Sequence, residues 1–185
     1  MTIDRRRFIG GAGLGLLAYQ VGGATVLLCP REARAEGIPY RILSATDVAV
    51  VESLGNSLLP GAAEAGLAHY LDQQLAADAS DSLLMIRYLD WPPPYGAFYK
   101  PCLAAVDVIT HARYGKPFQE LTPPECDATI GLLQKANPEG WQGPPAPLFY
   151  FVLRSDAVDV VYGTPEGFEK LGIPYMQHIM PPSKW

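Results

Sequence analysis

Tyr114-Gly115-Lys116-Pro117 and Leu121-Thr122-Pro123-Pro124-Glu125 stand a few residues apart near the middle of the 185-residue chain. The first reads as a helix end and the second as a helix beginning. Glycine just past a helix takes the left-handed turn that closes it, and a proline soon after lacks the amide hydrogen to continue. Thr122 can accept from the amide of Glu125 while the Glu125 carboxylate reaches back to Thr122, and Pro123 fills the first turn without wasting a donor. Upstream, the punctuation closes a helix expected from about Ala97 to Tyr114; downstream, it opens one that runs to about Ala136. Consecutive helices across a short link point to helix packed on helix.

The same punctuation recurs outward from this centre. Ser44-Ala45-Thr46-Asp47 supplies N-cap candidates, and Val48, Val51, Leu54, Leu58 and Leu59 follow at helical spacing up to Pro60. Ala62–Ala77 is Ala-rich with Leu67, Leu71 and Leu75 every fourth residue, which predicts a second helix. A third, capped by Ser80 or Asp81, carries Leu83, Leu84, Ile86, Tyr88 and Leu89 as an apolar stripe and stops at Trp91-Pro92-Pro93-Pro94-Tyr95. Beyond the central pair, 137–145 is a loop, 147–161 a last substantial helix, and Gly163–Met176 holds one short turn. The segment 177–185 is Pro-rich, irregular and ends on Trp185. Nothing alternates with period two for long. The expectation is an all-α single domain of about six short helices with a Pro- and aromatic-rich C-terminal tail.

The first 35 residues read differently. Arg5-Arg6-Arg7-Phe8-Ile9 is a basic head, a Gly-rich apolar run extends from Gly10 to Leu28, and Ala33-Arg34-Ala35 closes it as small-x-small. That order is the plan of an export signal. Paired arginines, one residue, then Phe8-Ile9 resemble the twin-arginine motif, which routes folded proteins across the bacterial inner membrane. Asp4 stands where that motif usually has Ser or Thr, and Gly10 where Lys is common. The expected division is therefore 1–35, a twin-arginine signal peptide cleaved after Ala35, and 36–185, the helical domain. Phe8–Leu28 is uncharged and long enough to span a bilayer, so retention as an uncleaved anchor is the alternative. Its glycines and Gln20 make it a poor one.

From Glu36 onward there are nine Lys/Arg against seventeen Asp/Glu, a net charge of −8 compared with −5 for the whole chain. An acidic chain without a basic cluster argues against nucleic acid and against an anionic membrane surface as partner. Cys102 and Cys126 are too few for a disulfide scaffold, and a helix between them disfavours a bridge; free thiols are expected.

Motifs for chemistry are missing. There is no Cys-x-x-Cys-His, no Gly-x-Ser-x-Gly, no dinucleotide fingerprint and no His-Glu-x-x-His. His69, His111 and His178 are far apart in sequence, without a second ligand type at metal spacing. Asp156 and Asp159 lie one helical turn apart and read as a solvated face rather than a carboxylate pair. No catalytic, cofactor-binding or metal residue is assigned. Folded export normally follows assembly with a cofactor or a partner; with no cofactor site, a partner is left.

The layout of Ile42–Trp185 resembles the gluconate 2-dehydrogenase subunit 3 family, the small (gamma) subunit of bacterial FAD-dependent sugar and polyol dehydrogenases. The likeness rests on Leu121-Thr122-Pro123-Pro124-Glu125 and Phe149-Tyr150-Phe151-Val152-Leu153-Arg154. Tyr162-Gly163 with Gly167-Phe168-Glu169-Lys170-Leu171-Gly172-Ile173-Pro174 completes it. The resemblance implies a three-part complex on the periplasmic side of the inner membrane. A large flavoprotein of the glucose–methanol–choline type holds FAD and oxidises the substrate, and a multihaem cytochrome c passes electrons on. The small subunit is non-catalytic and carries the flavoprotein through the twin-arginine translocase. Phe168, Tyr175 and Trp185 are the expected partner contacts, since buried aromatics anchor interfaces and these segments offer little local cover. Closing the domain's own core is their other possible role. Two other functions compete: an independent periplasmic enzyme using Asp156, Asp159 and the histidines, and a stand-alone ligand-binding protein with a pocket at Trp91, Tyr95 and Phe98.

Overall fold

In the computed structural model the chain is described over residues 15–173. Arg5, Arg6, Phe8 and Ile9 of the export motif, and His178, Tyr175 and Trp185 of the tail, lie outside that range. Seven helices carry the described fold: α1 (Pro30–Ala35), α2 (Ala45–Leu58), α3 (Leu67–Ala76), α4 (Gly96–Tyr114), α5 (Pro123–Lys135), α6 (Ala146–Tyr162) and α7 (Pro165–Lys170). Short 3₁₀ turns at Met85–Leu89 and Phe118–Glu120 join them. The helical expectation holds, with one addition at the N-terminal side.

The central punctuation behaves as its chemistry dictates. Gly115 closes α4 with φ +72, and its amide donates to the His111 carbonyl. At the start of α5 the Glu125 carboxylate accepts from the Thr122 amide at 2.7 Å and from the Thr122 hydroxyl at 2.9 Å. Lys116 reaches over from the link to Glu125 at 2.9 Å. The link is not a surface loop, because Phe118 is fully buried against α2. α2 runs through the middle and touches α3, α4, α5 and α6, while α5 lies along α6. The core they share is aromatic: Phe98 stacks edge-on against Trp91 and Tyr99, with ring centroids 5.2 Å apart in each pair, and lies tilted against Phe149 at 6.4 Å. Phe98, Tyr99, Phe118 and Phe149 together remove the largest apolar area from water, about 25 cal/mol for each Å².

Two helices are shorter than expected. The Ala62–Ala77 pattern becomes helical only at Leu67, because Gly66 adopts φ +88 and residues 61–66 form turns. A Cβ at Gly66 would run into the Pro30 carbonyl, so this helix start is set by a tertiary contact. Of the stripe at 83–89 only Met85–Leu89 is helical, as a tighter three-residue 3₁₀ turn, after Leu83 and an extended Leu84. Together they send Leu84 and Ile86 inward and leave Leu83, Tyr88 and Leu89 outside.

The addition is a β-hairpin. Leu17–Val21 (β1) pairs antiparallel with Ala24–Leu28 (β2), Leu17 opposite Leu28 and Val21 opposite Ala24. The Gly22-Gly23 turn has φ +56 and +82, the two left-handed residues a tight hairpin needs. Tyr19 and Leu28 of the hairpin, Ala33 of α1 and Ile38 form a small satellite core beside α3.

Candidate functional site

α7 positions Phe168. The Thr164 hydroxyl accepts from the Gly167 amide at 3.1 Å, and Gly167 is buried flat against the end of α6, where a side chain would meet the Tyr162 backbone. Phe168, one residue on, is half-buried. Leu171 and Ile173 follow with 51% and 45% of their surface exposed. Tyr175 and Trp185 lie outside the described residues, so the expected trio is placed only at its first member.

A second apolar surface escaped the sequence reading. Tyr88 is 62% and Leu83 46% exposed, and both border a hollow of about 310 Å³ with Leu17, Tyr70, Asp159 and Thr164. The signal was present in the brevity of the 83–89 stretch, too short between its turn residues for an α-helix to sort one face inward.

Of the carboxylates and histidines singled out in the sequence, Asp159 borders this hollow, exposed as expected, and Asp156, His69 and His111 do not line it. Asp156 departs from the expected solvated face: it is completely buried, accepting from the Tyr99 hydroxyl at 2.5 Å and the Met85 amide at 2.9 Å. Burial pushes its carboxyl up to about 7, and the neighbouring Asp159 adds to the rise. The same burial, with Asp156 adjacent, raises the Tyr99 phenol well above its usual value. His69 is buried too; its Nε2–H donates to the Ile38 carbonyl at 3.1 Å and Nδ1 pairs with the Tyr40 hydroxyl at 3.1 Å. Desolvation lowers its pKa, in keeping with a neutral ring. His111 is exposed beside Asp107 of its own helix.

Cys102 and Cys126 are free thiols, as expected, and so is Cys29. Burial pushes the Cys102 thiol up to about 12, which makes it inert. Trp91, Tyr95 and Phe98, the residues of the ligand-pocket alternative, pack into the core; Phe98 is fully enclosed and Trp91 lies edge-on to it. Among the described residues no group of three or more His, Cys, Asp or Glu is arranged to hold a metal, and no helix is long and apolar enough to cross a membrane. Ala33 and Ala35, the expected cleavage residues, sit on α1, Ala33 fully buried and Ala35 exposed.

The family model described as gluconate 2-dehydrogenase subunit 3 matches residues 45–180, from the first residue of α2 through α7 and beyond. The chain belongs to the gluconate 2-dehydrogenase subunit 3 family. No curated protein and no solved structure matches it. As a member of the subunit 3 family, the chain is a dehydrogenase component, and the match covers every helix of the main core. It begins only after the hairpin, α1 and the extended lead, so those elements stand outside the part held in common.

Proposed function

We propose that this chain is the non-catalytic small (gamma) subunit of a periplasmic, membrane-associated FAD-dependent sugar, polyol or gluconate dehydrogenase. It escorts the flavoprotein through twin-arginine export and stabilises it afterwards. The observation that carries the proposal is membership of the subunit 3 family over 45–180. The chemistry of the chain supports it, because the buried polar side chains are engaged in holding segments together. FAD and c-type haem belong to the large subunit and to a multihaem cytochrome c. The complex, rather than this chain, holds the assembly at the inner membrane. Arg5-Arg6 with Phe8-Ile9 engages the translocase, and the flavoprotein contact includes Phe168, Tyr175 and Trp185. The exposed Leu171 and Ile173 follow Phe168 in the chain and extend its apolar surface, which supports a contact there.

Co-expression with the candidate flavoprotein, a tag on the small chain, and an absorption spectrum of the periplasmic eluate test the proposal. A flavin band with a co-purifying large subunit is the expected result. A lone, colourless small chain, with the tag moved to rule out a blocked tail, would overturn it and favour a stand-alone ligand-binding protein.

A further inference from the structure

The cleavage residues inferred from sequence lie in a segment that the fold has absorbed. Ala33 is fully buried with Tyr19, Leu28 and Ile38. Its amide donates to the Cys29 carbonyl at 3.0 Å, and its carbonyl accepts from Ile38 at 3.0 Å. The Glu36 amide, which belongs to the bond that would be cut, donates to the Glu32 carbonyl at 2.9 Å. A protease that reads an extended strand needs those groups free and the Ala33 side chain outside.

Four contacts fasten the segment to α2 and α3. The Pro30 carbonyl rests on Gly66, where no side chain fits. The Tyr19 hydroxyl donates to the His69 carbonyl at 3.3 Å, and the His69 ring donates to Ile38 at 3.1 Å. Arg34 pairs with Glu52 of α2 at 3.1 Å. The body has thus given up a side chain at Gly66 and turned its backbone left-handed there, on the face that receives α1.

We propose that residues 15–38 are an integral part of the folded subunit, and that the Ala35–Glu36 bond is shielded from signal peptidase once the chain has folded. Residues 15–35 are then retained in the folded subunit, where Leu17–Val21 and Ala24–Leu28 pair with each other and so do not form a helix. The shielding rests on reading Ala33-Arg34-Ala35 as a cleavage site; the packing does not. Cleavage requires local opening, and its rate falls with the open fraction.

The test exposes the purified full chain and a synthetic peptide of residues 24–45 to a bacterial signal peptidase, read by intact mass. The peptide should be cut after Ala35, and the folded chain at least about tenfold more slowly. Tyr19→Ala, which leaves both cleavage residues in place, should bring the chain toward the peptide rate with its helical circular dichroism intact. Gly66→Val should do the same by expelling Pro30. Wild-type chain cut at the peptide rate would overturn the proposal. An uncut peptide would remove the cleavage-site reading and with it the shielding. Amide exchange over 17–38 judges the packing in either case: protection like that of α3 supports an integral segment, and exchange at the free-peptide rate refutes it. Whether Arg5→Lys with Arg6→Lys abolishes periplasmic recovery judges the export reading separately.

Discussion

Replacing Asp156 by Asn should remove a specific pH dependence from the stability of this subunit. Asp156 is fully buried and its carboxyl is pushed up to about 7, against 3.8 for an exposed aspartate. The folded state therefore binds its proton more tightly than the unfolded chain does. Between those two values the folded chain holds more protons, so stability falls as pH rises. The contribution is fully present below about pH 4, declines through the interval, and is gone above about pH 7 to 8. A rise of roughly three units corresponds to about 4 kcal/mol at most. Asn keeps the shape and never ionises. Its carbonyl oxygen can accept from the Met85 amide, and the Tyr99 hydroxyl can rotate to accept from the amide nitrogen. Urea denaturation of both chains from pH 4 to 8.5 gives two curves, and subtraction cancels the titrations that do not interact with Asp156; Asp159, which does, contributes a smaller part of the difference. The difference should tilt toward the variant by about 4 kcal/mol between pH 4 and pH 7, then stay level. Parallel curves would show that Asp156 ionises freely in the folded chain, and the burial argument would fail.

Three further outcomes are expected. Thr122→Ala removes the hydroxyl half of the reciprocal cap on α5 and should cost about 1 kcal/mol in chemical denaturation, while Thr122→Ser restores it. Asp72→Ala strips the acceptor from the amides of Arg41, Ile42 and Leu43, which now lie 2.8 to 2.9 Å from its carboxylate; a loss of about 3 kcal/mol should appear as a lower urea midpoint. Under the proposed function, deleting Tyr175–Trp185 should abolish co-purification of the partner flavoprotein with helical circular dichroism unchanged. Retained binding would refute the contact assignment, whereas lost helicity would mean that these residues close the core.

What was legible in the sequence was local chemistry. The end of α4, the cap of α5 and the start of α2 at Ser44 each depend on residues within one turn of one another, and each stands where the side chains place it. What escaped depended on distant partners. Residues 62–66 have good helical composition, yet Gly66 turns left-handed to receive Pro30, more than thirty positions earlier. The hairpin was visible in principle, since Leu17–Val21, Gly22-Gly23 and Ala24–Leu28 spell strand, turn and strand. An uncharged Gly-rich run behind three arginines has the same composition as a leader, and that likeness hid it. Asp156 misled for a similar reason. An acid on a helix is usually solvated, and only the fold brings Tyr99 and Met85 to it.

The buried polar groups follow a common logic that bears on what the subunit does. Asp72 holds the extended lead at 41–43, His69 holds Ile38 and Tyr40, Gln74 accepts from the Leu83 amide, and Asp156 accepts from Met85. Each lies on a helix, and each fastens a segment outside the α-helices whose amides, carbonyl or hydroxyl would otherwise go unpaired. A small helical domain with long irregular links needs such fastenings, since the links cannot satisfy one another. Among the described residues every buried side-chain nitrogen and oxygen already has its partner. Alanine at Asp72, His69 or Gln74 should therefore lower the stability of the isolated chain and, under the proposed function, the recovery of the partner flavoprotein with it. A variant here that slowed turnover of an intact, fully assembled complex would contradict that logic and place one of them at a reacting centre.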